Sequence, residues 1–374
     1  MNDSRPTLYL DADCFTRSFG GVAKATWYLY DALGKHFADD LQCIAIRRGG
    51  QPYLTPLPTN MIDMPLLNFP VRDIWRAVAL PALAYTPSVH ALHFPNNGRI
   101  PWGTPSSKVI TTIHDVLALE VEGYLTDKKR DRYIQKTQRY LDESALIYTV
   151  SKYSRDQILR HFKCDKSIHV IPNAATLPER GANQPPLSLN QTKPYFIYTG
   201  RYEARKGIDK AIQAMLELHA AGETSSELWV TGKPVYFNDH FKQLVDDAKA
   251  KGIVKELGYV SDEALARLMY ESRGLMYPSI SEGFGLPPLE AMKQACPVIT
   301  TELTAIPEAC GDAVLYSDPN ELNTLKQAIL SLDRDAHLRD RLIELGTAQA
   351  NLFSWESSAE QFLNLVTSQF FPYN

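Results

Sequence analysis

Ser281-Glu282-Gly283-Phe284-Gly285-Leu286-Pro287-Pro288-Leu289-Glu290-Ala291-Met292 sets two carboxylates, Glu282 and Glu290, eight positions apart around a glycine-rich turn and the start of a helix. Gly283 and Gly285 lack a Cβ and tolerate positive φ, so the backbone can approach a ligand closely and offer its amides. Pro287 and Pro288 suit a first helical turn, where an N–H would be unpaired in any case, and Leu289-Glu290-Ala291-Met292 is expected to continue as helix. Unpaired amides and the macrodipole make that helix end a natural seat for a diphosphate. Glu282 and Glu290, as acceptors, then suit hydroxyl groups on either side of the anion. A surface turn before an amphipathic helix would explain any single Glu-Gly pair. The Gly-Phe-Gly turn, paired prolines and second acid make a more specific pattern.

Outward from this stretch, short apolar runs alternate with helical ones. In the second half, strands are expected at 195–200, 227–232, 254–258, 274–278 and 297–300, with helices near 207–221, 237–251, 261–271, 289–294 and 321–331. The first half repeats the pattern, with strands at 7–11, 41–46, 91–94, 109–113, 146–150 and 165–172 and a helix at 22–36. Such alternation predicts an α/β chain with two parallel sheets, each covered by helices on both faces. Residues 177–194, rich in Pro, Gly, Asn and Gln, read as the linker between them.

Composition agrees. At 374 residues the chain exceeds a usual single core, and 44% hydrophobic with 22% charged residues is ordinary for a globular protein. A net charge of −4 without a basic stripe argues against nucleic acid as a partner. Cys14, Cys43, Cys164, Cys296 and Cys310 are odd in number and scattered, which suggests neither a disulfide framework nor a zinc site and fits a reducing cytoplasm. Asp3, Arg5, Asp11 and Asp13 interrupt the first apolar run, so no secretory leader is expected. No run of about 18 apolar residues suits a membrane span.

Other loops at strand ends carry candidate chemistry. Gly200-Arg201-Tyr202-Glu203-Ala204-Arg205-Lys206-Gly207 follows a strand and opens a helix, at the edge where open α/β sheets bind ligands. Arg201 and Lys206 can neutralise an anion across this loop, whereas Arg205 reads as a solvated basic residue. Gly20-Gly21 reads either as a helix-entry turn or as a second ligand loop, and His114-Asp115 ends another strand. Ser151 or Ser154 suits a helix N-cap. Lys233, Tyr259 and Val260 follow strands on one edge: Tyr259 can stack on a base while the Val260 backbone reads its rim, or both can simply pack. Trp75-Arg76, Lys128-Lys129-Arg130-Asp131-Arg132-Tyr133 and Arg139-Tyr140 read first as solvated helix faces.

The stretch 281–292 resembles the Glu-seven residues-Glu motif of the retaining glycosyltransferases of family 4. The resemblance is strongest from Tyr195 to Asp318 and continues more loosely through Gly20-Gly21, His114-Asp115 and Val150-Ser151-Lys152-Tyr153-Ser154. It implies a GT-B fold, with two doubly wound Rossmann-like domains and an interdomain cleft: an acceptor domain at 1–180, a linker at 181–194, a donor domain at 195–355 and a terminal helix at 356–374 packing back on the first domain. Asn173 is followed by Ala174-Ala175 where the family commonly has glycine.

The function implied is sugar transfer from a nucleoside-diphosphate sugar, first GDP-mannose, to a glycan or lipid-linked acceptor, with retention and without a metal or other cofactor. The resemblance assigns Arg201, Lys206 and the amides of Gly283, Phe284, Gly285 and Leu286 to the diphosphate, Glu282 to the sugar and Glu290 to the ribose. It places Lys233, Tyr259 and Val260 near the base, Gly20 and Gly21 near donor phosphate and acceptor, and His114, with Asp115 as its support, near the donor sugar. Asp11-Ala12-Asp13, at the first strand, is a poor match to a metal-binding Asp-x-Asp signature. The forms at 281–287 and 305–313 are similar to bacterial mannosyl- and rhamnosyltransferases of surface-polysaccharide assembly, which implies a cytoplasmic protein with peripheral contact at the inner face of the plasma membrane. The competing classes are an epimerase or phosphorylase on the same fold and a non-catalytic nucleotide-sugar-binding subunit. A phosphorylase would need a pyridoxal-phosphate lysine, for which the sequence offers no convincing site. A binding subunit would not need Arg201 and Lys206.

Overall fold

The computed structural model describes residues 5–16, 20–66, 72–95, 97, 100–121, 123–178 and 193–371. These form two compact units, one of residues up to Ala174 with those from Phe353 onward, the other Ala175–Leu352. Of the expected linker at 181–194, residues 181–192 lie outside the described residues.

The first unit runs β1 (Thr7–Asp11), α1 (Gly21–His36), β2 (Gln42–Arg48), β3 (Ile62–Leu66), α2 (Arg72–Ala84), β4 (Ala91–Phe94), β5 (Val109–Thr112), α3 (Leu117–Glu120), α4 (Asp127–Asp142), β6 (Leu146–Thr149), α5 (Lys152–His161) and β7 (Ile168–Val170). Its strands are all parallel, in the order β3-β2-β1-β4-β5-β6-β7. β4, β5 and β6 are buried along their whole length, as strands covered on both faces are, and read as mostly apolar runs in which His93, Thr111, Thr112 and Thr149 are the buried polar exceptions. β3 escapes that pattern because it is a mostly exposed edge strand, the one place where Pro65 costs the ladder little. Ser151 caps α5, its hydroxyl accepting from Ser154 N at 3.0 Å.

The second unit runs β8 (Tyr195–Thr199), α6 (Ile208–Ala220), β9 (Glu227–Thr231), α7 (Asp239–Ala250), β10 (Val254–Gly258), α8 (Asp262–Glu271), β11 (Leu275–Tyr277), α9 (Leu286–Lys293), β12 (Val298–Thr300), α10 (Ile306–Cys310), β13 (Leu315–Tyr316), α11 (Leu322–Arg334) and α12 (Ala336–Ala350). Its parallel order, β10-β9-β8-β11-β12-β13, is the doubly wound arrangement again. In both sheets the strand order reverses beside the first strand, between β1 and β4 and between β8 and β11. Loops leaving the carboxyl ends there diverge and open a crevice. β13, two residues long, is too short to carry a sequence period.

The chain then returns to the first unit as α13 (Trp355–Phe370), whose buried Ala359, Phe362, Leu363 and Val366 join Leu29, Tyr30 and Leu33 of α1 in one core. Burial of the Phe362 ring alone contributes about 1.5–3 kcal/mol. All five cysteines are free thiols, and no helix among the described residues is long and apolar enough to cross a membrane.

Candidate functional site

At the reversal point of the second sheet, the loop after β8 and the loop after β11 interlock. Ile280 N donates to Arg205 O at 2.8 Å, and Arg205 Nη1 donates to Ser281 O at 2.7 Å. Gly207 makes the approach possible: at φ 68° it joins a 3-10 turn, Ala204–Lys206, to α6, and a Cβ there would lie 2.2 Å from Pro278 O. Lys206 is thereby turned inward, its side chain only 13% exposed.

Three donors meet on one atom, Glu282 Oε1: Lys206 Nζ at 2.9 Å, the Tyr277 hydroxyl at 2.7 Å and the Ser279 hydroxyl at 2.7 Å, with Arg205 Nη1 behind them at 3.7 Å. An oxygen has two acceptor lone pairs, so Oε1 is saturated. Among the described residues no hydrogen bond reaches Oε2, which leaves that atom for a ligand. Burial opposes the charge on Glu282, but the cations of Lys206 and Arg205 outweigh it and hold the carboxyl below its ordinary range. Glu282 is therefore a carboxylate, with its main chain also fixed by Glu282 N donating to Thr304 Oγ1 at 3.0 Å. Thr304 has φ 58°, uncommon for a β-branched residue and of the kind that accumulates at functional sites.

The glycine turn ends as its composition requires. Gly285, at φ 103°, is the N-cap of α9, which begins at Leu286 with Pro287 and Pro288 in its first turn. Phe284 is buried and anchors the loop from which the helix end is displayed. Glu290, one helical face further on, is also buried and accepts from the Thr176 hydroxyl. Gln294 of the same segment donates to Pro178 O at 3.0 Å, so Thr176 to Pro178 is laid along α9. On the other side of β8, Gly232 N donates to Gly258 O at 2.7 Å and ties together the loops that carry Lys233 and Tyr259. Lys233 is exposed, Val260 partly so, and the Tyr259 ring is 87% exposed.

One expectation for the basic loop is overturned. Arg205, expected to be solvated, is 16% exposed and pairs with Glu203 at 2.9 Å as well as facing Glu282. Arg201 is 79% exposed, with Glu203 at 3.6 Å its partner. The tight turn and Gly207 decide this, because they rotate positions 205 and 206 toward the sheet end and leave 201 on the rim. Tyr277, Ser279, Arg205 and Thr304 were missed by sequence reasoning. Only Ser279 had a visible signal, its position three residues before Glu282 in the same loop.

In the first unit, Gly20 caps α1 and Gly21 begins it, both exposed, and a Cβ on either meets nothing within 4 Å. His114 is buried beyond β5. Its Nε2 donates to Pro95 O at 3.0 Å, which leaves Nδ1 as the lone-pair nitrogen, and burial lowers its pKa to about 4, so the ring is neutral. Asp115 Oδ1 accepts from Leu117 N at 3.2 Å at the start of α3. Among the basic residues of α4, Lys128, Lys129 and Arg132 are exposed, but Arg139 stacks on Trp102 at 4.0 Å and is not a free surface cation. The side chains of Trp75 and Arg76 lie outside the described residues.

Residues 179–349 match the family described as Glycosyl transferases group 1, and residues 19–177 match Glycosyltransferase Family 4. The O-antigen chain mannosyltransferase B of Escherichia coli is 36% identical over 265 residues, covering 69% of each chain. The O-antigen chain mannosyltransferase RfbU of Salmonella typhimurium is 26% identical over 224 residues, covering 60% of each. The solved structure of Anabaena Alr3699/HepE in complex with UDP and glucose is similar at a TM-score of 0.72 and 16% identity, covering 97% of this chain and 100% of that one. That last likeness speaks to the fold alone.

Proposed function

We propose, for a chain that belongs to the family 4, group 1 glycosyltransferases of GT-B fold, that the sugar it transfers is mannose, taken from GDP-mannose and delivered with retention to a glycan or lipid-linked glycan of surface-polysaccharide assembly. The chain is a glycosyltransferase, and in this reading its donor is a nucleotide sugar. The observation that carries the assignment of the site is the meeting of Lys206, Tyr277 and Ser279 on Glu282 Oε1 at the carboxyl ends of β8 and β11, beside the amides that open α9. The choice of mannose rests on the relative at 36% identity.

In this reading the reacting bond is the one between the anomeric carbon and the β-phosphate oxygen. As it breaks, charge builds on the diphosphate. The amides of Gly283 to Leu286, the third N–H of Lys206 and the mobile reach of Arg201 meet that charge. Glu282 Oε2 accepts a hydroxyl of the sugar and fixes the ring. Glu290 accepts from the ribose, and Tyr259 and Val260, with Lys233 nearby, take the base. The acceptor oxygen forms the new bond on the face the diphosphate leaves, and its proton passes to the departing phosphate oxygen, so no protein nucleophile is needed. Gly20, Gly21 and His114 are assigned to substrate contacts of the first unit, His114 as a neutral ring. Membrane contact through exposed basic residues of α4 belongs to the same proposal.

A thermal-shift comparison of GDP, UDP, dTDP and ADP tests the base, since a ligand held by the native state alone stabilises it by about 2.7 kcal/mol at a hundredfold excess over its Kd. GDP should give the largest shift. Product NMR after transfer from GDP-mannose should show the α-anomer of the donor preserved, and inversion would overturn the stereochemical assignment. Calorimetry separates the glutamates: Glu290→Gln should weaken GDP binding, whereas Glu282→Gln should spare it and abolish transfer.

A further inference from the structure

Tyr277 has no place in the roles assigned so far, yet its phenol is the centre of the charged cluster. The side chain is fully buried at the end of β11, and its carbonyl is held by the Thr300 hydroxyl at 2.8 Å, so the strand fixes where the ring stands. Its oxygen accepts from Lys206 Nζ at 2.6 Å and donates its one proton to Glu282 Oε1 at 2.7 Å. Lys206 also reaches the same Oε1 at 2.9 Å, and its ammonium lies 5.1 Å from the centre of the Tyr277 ring. Lysine, phenol and carboxylate thus form a closed triangle. Two of the three ammonium protons are directed, and one carboxylate oxygen is filled.

From this triangle we infer that Tyr277 is a positioning residue for transfer: its hydroxyl fixes the rotamers of Lys206 and Glu282 together, so that one N–H of the lysine and Oε2 of the glutamate are presented to the donor. The inference rests on the donor-site reading above. A Lys–Glu pair without the phenol has freedom to close into a two-point contact that uses both carboxylate oxygens, and Oε2 is then lost to the sugar. A small misplacement of such groups costs rate far more than stability. Ser279 donates to the same oxygen, but among the described residues no hydrogen bond joins it to Lys206, so it holds one side of the pair and Tyr277 holds both.

The test is a set of four variants, Tyr277→Phe, Ser279→Ala, Lys206→Ala and Glu282→Gln, assayed by GDP release from GDP-mannose with an α-mannosyl oligosaccharide acceptor, across pH. Phenylalanine keeps the ring and its packing, and circular dichroism with thermal melting checks the fold. Tyr277→Phe should lower kcat by about ten- to a hundredfold while the KM for donor stays within about threefold. Its acid limb should also move toward neutral pH, because the groups facing Glu282 are then Lys206, Arg205 with Glu203 behind it, Ser279 and the buried Tyr198, without the phenol proton that favours the carboxylate. Ser279→Ala should fall less. Parental kcat and an unmoved acid limb in a folded Tyr277→Phe would overturn the inference. If Lys206→Ala and Glu282→Gln also kept full activity, the donor-site reading itself would fall. If they alone lost it, only the role of Tyr277 would.

Discussion

The two sheets share one strand order but furnish their reversal points differently. Beside β8 and β11 the chain buries a lysine, an arginine and a glutamate against one another, and the glycine that lets them meet is sterically required. Beside β1 and β4 the chain buries two acids, Asp11 and Asp13, and two histidines whose rings are neutral. His93 sits between the Tyr30 hydroxyl at 2.9 Å and Thr112 Oγ1 at 2.7 Å, His114 is held to Pro95 O, and the glycines of the loop are under no steric demand. Buried charges that are paired and still leave one lone pair and one N–H open are arranged to receive a charged ligand. The same strand order thus carries a lysine–arginine–glutamate cluster in one unit and acids with neutral histidines in the other.

The comparison breaks first if the charged edge proves idle. Lys206→Ala should lower kcat by about 10²–10³-fold, roughly 2.7–4 kcal/mol of transition-state stabilisation. Arg201→Ala, on the exposed rim, should cost only about tenfold, near 1.4 kcal/mol. Steady-state kinetics at saturating acceptor checks both, and equal losses would mean that burial does not rank the two cations.

Next in size is the contrast between glycines. Gly207→Ala forces a Cβ against Pro278 O at positive φ and should destabilise the protein by about 1–3 kcal/mol, seen as a lower urea midpoint. Gly21→Ala meets no neighbour within 4 Å and should leave stability unchanged or raise it by about 0.4–1 kcal/mol. If Gly21→Ala nonetheless lowers transfer, the loop lies against substrate. Full transfer would reduce it to a helix entry.

Acid should separate the edges further. His93 and His114 have folded pKa values lowered by burial from 6.5 to about 3 and about 4, so between those values and 6.5 the unfolded chain binds more protons. Stability is complete above 6.5 and falls as pH drops through that window, by at most about 1.4 kcal/mol per pH unit for each histidine. Glu282 acts lower: its contribution is present above the ordinary 4.5 and is lost only as pH falls through its depressed folded value. Denaturation at pH 7, 5.5 and 4.5 should therefore show a decline that His93→Gln or His114→Gln flattens and Glu282→Gln does not. The smallest effect expected is that of EDTA. With lysine, arginine and helix amides supplying the positive charge, transfer should persist at its parental rate, and a chelator-sensitive rate restored by Mg²⁺ would show that the cluster needs a cation as well.

By itself the sequence determined the repeated strand and helix alternation, because strands buried on both faces are largely apolar, and it determined the start of α9, because Gly285, Pro287 and Pro288 have few other uses. It also narrowed the N-cap of α5 to Ser151 or Ser154, and the local bond between residues three apart makes it Ser151. Only the tertiary structure decided which arginine turns toward Glu282. Arg201 and Arg205 are chemically alike and four positions apart, and the turn closed by Gly207 against Pro278 alone turns one outward and the other inward. It likewise decided that Oε1 of Glu282 is the filled oxygen, since Lys206 comes from a loop more than seventy residues away and meets Tyr277 and Ser279 there only after β8 and β11 have paired. Patterns local in the chain are written by backbone preference and periodicity. The orientation of a buried charge is written by partners that only packing brings within hydrogen-bond reach.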